Sequence, residues 1–344
     1  MTEAFCAELS MALGAVTILS SHTFSFEGES PIHAAAQDAA FPLGTPPLTG
    51  PDDLLARAVQ NTLYDRCYAR RVVSPPTVAV EDRAADAALV QNLAEANCGV
   101  ERWEGGWIIQ QFTQNGQVLV KKGERERAAA PGAFISTIGP GMAPQPGSAV
   151  LLRVPSGALG VQPGYYFAFG ETLDELADQL SLMRFYFNCT ADGAVQLVRT
   201  LTQSLNRFQV PFQLKTPVQH ALYGRTDAMV LYVGTRYFSI TARIVESLRE
   251  TFSLAASTPL FAKRLWPGIA VAADPGNGES FGTHRCRLMA EAIVQTWRKG
   301  TQDLPSRLES LKALFASAGL DLCRPWLAPG SIDAFNYPVP ASIS

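Results

Sequence analysis

The sequence lacks the marks of a metalloprotein, a disulfide scaffold or a membrane protein. Its six cysteines (Cys6, Cys67, Cys98, Cys189, Cys286, Cys323) are scattered, and no two form a CxxC pair. That excludes a disulfide framework and a zinc ribbon, and it reads as reduced thiols in a cytoplasmic protein. Cys286 lies near a glycine-rich loop, but a lone cysteine is read first as a small core hydrophobe rather than a nucleophile. The four histidines (His22, His33, His220, His284) show neither HExxH nor any other metal-ligand spacing, so no metal is expected. An excess of one charge sign is also missing. Lys and Arg number 28 against 31 Asp and Glu, a formal net charge of −3. Bulk attraction to nucleic acid or to an acidic membrane is therefore excluded, whereas a local basic pocket for a small anion is not. Long apolar runs are absent too. Leu13–Leu19 is short and preceded by Glu3 and Glu8, so it is neither a signal peptide nor a membrane span.

With 344 residues, 47% of them hydrophobic, the chain can bury a large core without staples. Residues 1–100 read as mostly helical. Helical spacing covers Asp52–Arg66, opened by Pro51, and Val80–Ala96, with Asp82 as a candidate N-cap. The Ser/His/Pro/Gly-rich stretch up to Gly50 reads as a mobile arm. After Gly99 the pattern becomes mixed. Trp107–Phe112 and Gln117–Lys122 flank Asn115-Gly116, a hairpin signal, and Ser148–Val154 and Tyr165–Phe169 read as strands. The Pro/Gly run Pro131–Gly147 reads as a loop. Thr172 and Glu175 suggest a capping box that opens a helix through Leu180. Further strands are expected at Arg184–Asn188, Phe212–Lys215, Ala228–Val233 and Ile269–Ala272. Helices are expected at Ala191–Phe208, Ile240–Phe252, Thr283–Arg298 and Pro305–Ala318. Without a regular βαβ alternation this is an α+β domain over 101–344, with a mixed or antiparallel sheet and packed helices.

Between Pro211 and Arg287 several polar words interrupt the apolar pattern: PFQLK, LYGRTDAMVLY, PLFAK and DPGNGESFGTHRCRL. Lys215, Arg225, Lys263 and Arg285 stand at the ends of apolar runs. Strand-end lysines are commonly solvated guards against edge pairing. If these ends instead converge, mutual repulsion lowers one lysine pKa and frees an amine for base chemistry. In the glycine-rich word, Gly276, Gly278 and Gly282 permit unusual backbone, and Ser280 or Thr283 can cap the helix that follows. His284 and Arg285 then sit in its first turn, where the helix dipole disfavours cations. The compensating anion is either an internal carboxylate, Glu279 or Asp274, or a bound phosphate. Asp227 is either half of an internal ion pair with Arg225 or the group that orients Arg225 toward an oxyanion.

VLVKKG (Val118–Gly123), QPGYYFAFG (Gln162–Gly170), RFYFN (Arg184–Asn188), VPFQLK (Val210–Lys215), YGRTDAMVLYV (Tyr223–Val233) and DPGNGESFGTHRCRL (Asp274–Leu288) occur in this order. Together they resemble the HopA-class family, named for a plant-pathogen type III effector, over roughly Trp107 to Trp297. The resemblance implies an α+β domain and one of two roles. The first is a lyase that acts beside a Ser/Thr kinase on a ribosomally made precursor peptide, removing phosphate from phosphothreonine or phosphoserine to leave dehydrobutyrine or dehydroalanine, with no cofactor. The second is a non-catalytic effector or kinase-partner module that recognises a phosphate-bearing ligand. The lyase is preferred. Elimination needs a base, cations for the leaving phosphate and a proton donor. Lys122 is the first candidate base and Lys215 the second, with His284 as the acid. Arg153, Lys215, Arg225, Lys263 and Arg285 are the candidate phosphate ligands, and Asp227 and Glu279 the orienting carboxylates. The expected partners are the phosphorylated precursor and its kinase, with no nucleic acid and no membrane. Residues 1–100, outside the resemblance, are expected to bind leader peptide or kinase, and residues 1–50 to be removable without loss of the fold.

Overall fold

The computed structural model describes residues 3–34, 51–71, 80–123, 125–139 and 142–337. Among them are three antiparallel sheets and eight α-helices, an α+β fold. The largest sheet has seven strands: β9 (Gly157–Ala158), β10 (Tyr165–Phe169), β11 (Leu182–Phe187), β12 (Phe212–Pro217), β13 (Met229–Gly234), β14 (Lys263–Trp266) and β15 (Ile269–Ala273). Its order is β14-β15-β11-β13-β12-β10-β9. Alternation along each strand gives the sheet two unlike faces. In β11, Met183, Phe185 and Phe187 are fully buried on the first face. They pack with α5 (Ala191–Arg207), α6 (Phe238–Leu248) and α3 (Val80–Ala96). The inward stripe of α5 is Ala194, Leu197, Val198, Leu201 and Leu205, spaced by three and four residues. Thr190 opens that helix, its side chain accepting from Gly193 N at 3.2 Å.

The second face carries the residues between. Register puts Phe169, Gln213, Tyr232, Arg184 and Ala272 in one row, and Phe167, Lys215, Val230, Tyr186 and Ala270 in the next. The β15 end of these rows lies under α7 (Phe281–Arg298), with α2 (Pro51–Leu63), the π-helical turn Tyr64–Tyr68 and α8 (Leu304–Ser317) in the same core. Helix α7 is buried on several sides, and Gly282 is required by close approach. A Cβ there would lie 2.4 Å from a Tyr68 ring carbon. Gly276 and Gly278, in contrast, serve the preceding loop with φ of 71° and 82°.

The five-stranded sheet, in the order β6-β5-β4-β8-β7, consists of β4 (Arg102–Phe112), β5 (Val118–Lys122), β6 (Arg125–Ala129), β7 (Phe134–Ser136) and β8 (Ala149–Val154). The Asn115-Gly116 hairpin joins β4 to β5 as expected, whereas β6 had no expected counterpart and β7 lies inside the expected loop Pro131–Gly147. Likewise β14 was not foreseen, and the capping box opens only α4 (Leu176–Leu180), through Glu175 and Asp178 rather than Thr172 and Glu175. The N-terminal region departs from a mostly helical reading as well. Between α1 (Glu3–Gly14) and α2 lies the sheet β1 (Val16–Ser20), β2 (Thr23–Phe26) and β3 (Ile32–His33). Pro75, Pro76 and the stretch from 35 to 50 lie outside the described residues.

Residues 3–33 are built into the fold. Leu9, Leu13, Val16, Phe24 and Phe26 are buried in the α7/α8 core. Arg307, itself buried, donates from Nη1 to the carbonyls of Leu13 (2.5 Å) and Val16 (2.7 Å). Removing residues 3–33 would strip this core and leave Arg307 Nη1 without its two acceptors, so these residues are not a dispensable arm.

Candidate functional site

A polar stripe remains half-buried on the second face of the large sheet: Gln213, Lys215, Tyr232, Arg184 and Tyr165. The loop before β13 delivers Arg225 and Asp227 to it. That loop is fixed at two points. Tyr223 donates its hydroxyl to Pro217 O (2.8 Å) and lies 2.8 Å from Thr216 Oγ1. Thr226 donates through N and Oγ1 to the carbonyls of Ala69 and Tyr68, both at 2.8 Å. Between these anchors Arg225 holds Asp227 with two bonds, Nε to Oδ1 at 2.5 Å and Nη2 to Oδ2 at 2.8 Å, and Tyr64 donates to Asp227 Oδ2 at 2.9 Å. Burial alone would raise the Asp227 carboxyl. The Arg225 charge, the hydrogen bonds and Lys215 outweigh it and hold the group below the usual carboxylate range. Arg184 is matched by Asp274, Nε to Oδ2 at 2.8 Å, and lies over the Tyr232 ring at 5.3 Å.

Lys215 is different. Its Nζ lies 4.0 Å from the centre of the Tyr165 ring and makes no hydrogen bond or ion pair among the described residues. Burial pushes its amine down to about 8, and repulsion from Arg184 and Arg225 adds to this against the opposing pull of Asp227. Of the other run-end cations only Arg225 acts on Lys215, and burial rather than mutual repulsion is the larger cause of its lowered amine.

Beside the stripe is a cavity of about 280 Å³ between the two larger sheets. Phe169, Gln213 and Tyr232 wall it from the large sheet, Arg102, Arg125 and Arg127 from the smaller one. The inward face of the smaller sheet has an apolar half (Trp107, Ile109, Val118, Val120, Val150, Leu152) and a charged half (Arg102, Glu104, Lys122, Arg125, Arg127). Lys122 is in this charged half, bonded to Glu104 at 2.6 Å, and so is not an unpartnered base.

The other expected ligands are placed elsewhere. Arg153 points to the outer face of the smaller sheet, where it pairs with Glu101. Lys263 is on β14, four strands from β12 and hence about 19 Å away. It pairs in register with Val271 and so belongs to the first face, where Nζ binds Asp333 and Asn336. Arg285 is fully buried and donates to the carbonyls of Pro325 (2.9 Å) and Leu327 (2.7 Å), tying α7 to the C-terminal segment. Glu279 receives two bonds from Arg287, at 3.0 and 2.9 Å, and does not orient Arg225. His284 is buried with Nδ1 2.8 Å from Arg285 Nη1. Burial, then the Arg285 charge, pushes it down to about 4, so it is neutral at pH 7 rather than the raised imidazolium expected. The dipole conflict at the start of α7 is thus met internally. Sequence reasoning missed Arg184, Arg102, Arg125 and Arg127. The alternation Arg184-Phe185-Tyr186-Phe187 and that of Arg125-Glu126-Arg127 carried the signal: each sets two polar residues on one face of a strand.

The core that supports the stripe, from β10 through the loop before β13 to the segment gripped by Arg285, decides the comparison. Residues 159–327 match the model of the HopA1 effector protein family. The HopA1-matched segment starts later and ends later than the resemblance read from the sequence. It contains Arg184, Lys215, Arg225, Asp227, Lys263, Glu279, His284 and Arg285, and it leaves out Lys122, Arg153 and the arginines of the smaller sheet. Two solved structures are also similar. One is the effector protein from Pseudomonas syringae pv. tomato strain DC3000, 14% identical, with TM-score 0.43, covering 80% of this chain and 94% of that one. The other is the effector protein from Pseudomonas syringae pv. syringae strain 61, 15% identical, with TM-score 0.44, covering 80% and 92%. No curated protein matches the chain. Among the described residues no helix is long and apolar enough to cross a membrane, and no group of three His, Cys, Asp or Glu could hold a metal ion.

Proposed function

We propose that this protein is a phosphothreonine/phosphoserine lyase that acts on a precursor peptide phosphorylated by a cognate Ser/Thr kinase, in peptide natural-product biosynthesis. One observation carries the reading: Lys215 is a half-buried amine with no hydrogen-bond or ion-pair partner among the described residues, flanked by Arg184 and Arg225, beside a cavity walled by arginines. With a pKa of about 8, roughly a tenth of it is neutral at pH 7, enough for a general base. Lys215 Nζ takes the Cα proton of the phosphorylated residue. The C–H electron pair becomes the Cα=Cβ double bond, the Cβ–O bond breaks, and its pair leaves with the phosphate. Tyr232, on both the stripe and the cavity wall, donates the proton that lets phosphate depart as the hydrogen phosphate dianion. Burial and Asp274 raise the phenol of Tyr232 despite the opposing Arg184 charge, which keeps it protonated until charge develops on the leaving oxygen. Arg225, held by Asp227 and Tyr64, supplies fixed positive potential without needing to reorganise.

The test incubates the purified protein with the kinase-phosphorylated precursor, without added cofactor, and follows loss of phosphoric acid by mass spectrometry. Wild type should eliminate and Lys215→Met should not. A wild-type protein that binds the phosphopeptide but leaves it intact overturns the lyase and makes the chain a phosphate-recognising binding module.

A further inference from the structure

The carboxylates around the inter-sheet cavity are already matched. Glu104 is closest to Lys122 at 2.6 Å, with Arg102 Nη2 at 3.4 Å. Asp174 takes both of its 2.9 Å bonds from Arg125, and Asp178 is taken by Arg236 at 2.7 Å. Arg102 spends both Nη atoms, Nη2 on Glu104 and Nη1 on the Gly170 carbonyl, which leaves Arg127 as the arginine without a carboxylate of its own. Arg127 makes no hydrogen bond or ion pair among the described residues; its guanidinium lies only over the rings of Trp107 (5.6 Å) and Phe169 (5.8 Å). The Nε atoms of Arg102 and Arg125 are buried with no acceptor. A buried donor without an acceptor destabilises the fold, and guanidiniums are suited to binding phosphate oxygens in pairs.

We propose that the cavity between the two sheets is a subsite for a dianionic phosphoryl group, gripped by Arg102, Arg125 and Arg127. The unmatched guanidinium of Arg127 and the free Nε donors of Arg102 and Arg125 are what such a dianion satisfies. The cavity of about 280 Å³ admits a phosphoryl group with part of its carrier. Gln213, on its wall, precedes Lys215 by two positions on the same face of β12, a spacing of about 7 Å. A phosphoryl group at the arginines therefore leaves the Cα of its residue toward Lys215. The inference rests on the lyase reading for the carrier of the phosphate, and on the cavity alone for the anion. It also assigns work to the smaller sheet, which lies outside the HopA1-matched segment.

Calorimetric titration with inorganic phosphate, at constant ionic strength set with chloride, tests it on wild type, Arg127→Gln, Arg102→Gln, Lys215→Met and Arg153→Gln. Wild type and Arg153→Gln should bind alike, since Arg153 lies on the opposite face of the smaller sheet. Each cavity variant should lose at least about tenfold in affinity, and Lys215→Met less than either. Folding of each variant is checked by its thermal transition, and the two arginine variants serve as independent arms should one fail to fold. Phosphate affinity unchanged in both arginine variants, or lost chiefly in Lys215→Met, overturns the subsite. Elimination is scored in parallel on a phosphothreonine peptide, which separates a bound ester from the free phosphate product. Phosphate bound through the arginines without elimination sinks the lyase and leaves the subsite standing. Elimination with wild-type KM in both arginine variants does the reverse.

Discussion

Two regions of this protein gather buried cations, aromatic rings and carboxylates, and they end in opposite states. At the start of α7, His284, Arg285, Arg287 and Glu279 satisfy one another or the backbone. Arg285 is spent on two carbonyls, Arg287 on Glu279 and Glu291, and His284 is neutral. On the stripe between the large sheet and its covers, Asp227 and Asp274 are matched, yet among the described residues Lys215 is left over, and so in the adjoining cavity is Arg127. The lesson is that converging cations do not mark a ligand site. Unspent donors are the sharper guide, because a folded chain keeps a buried unpaired charge only at a cost.

Lys215→Met should break the contrast most sharply. Elimination should fall by about 10²–10⁴-fold, as for loss of a general base. The folded protein should nevertheless gain roughly 1–3 kcal/mol at pH 7, since a charged amine is removed from a site that disfavours it. The sign follows from a folded pKa of about 8 below an ordinary 10.5. The penalty is complete below pH 8 and fades as pH rises toward 10.5, so wild type and variant should converge there in thermal melts. Asp227→Asn strands Arg225 and should cost about 3–5 kcal/mol in denaturant titration. Because Asp227 supports the Lys215 charge, the rising limb of the pH–rate profile should also move to lower pH in that variant. A limb that stays put would remove Lys215 as the base.

The α7 region should answer only in stability. Arg285→Met orphans the carbonyls of Pro325 and Leu327 and should cost about 3 kcal/mol, with KM for phosphopeptide unchanged. A raised KM would restore Arg285 as a ligand. His284→Gln is the mildest: turnover at pH 7 should change less than about twofold. Its wild-type pKa of about 4 lies below the ordinary 6.5, so the native state gains from the neutral ring above pH 6.5 and loses that as pH falls toward 4. Urea titrations across that window should show a shallower acid slope in the variant.

Much of the fold was legible because it is local. The stripe of α5, the Asn115-Gly116 hairpin and the alternation of β11 depend on spacings of two, three and four residues, which a chain displays before it folds. Segments with weak patterns, such as β6, β7 and β14, were decided by what they pair with. The polar words around Lys215, Arg225 and Asp227 were visible for the same local reason, and so was the chemistry a lowered lysine could do. Which cations meet was decided only by the tertiary structure. The strand order sets Lys263 four strands from Lys215 and on the opposite face, Arg153 points away from the cavity, and Arg285 turns inward. The physical reason is that register and strand order are fixed by burial of the whole core, whereas a charge left without a partner is a property of the assembled surface and of no single segment.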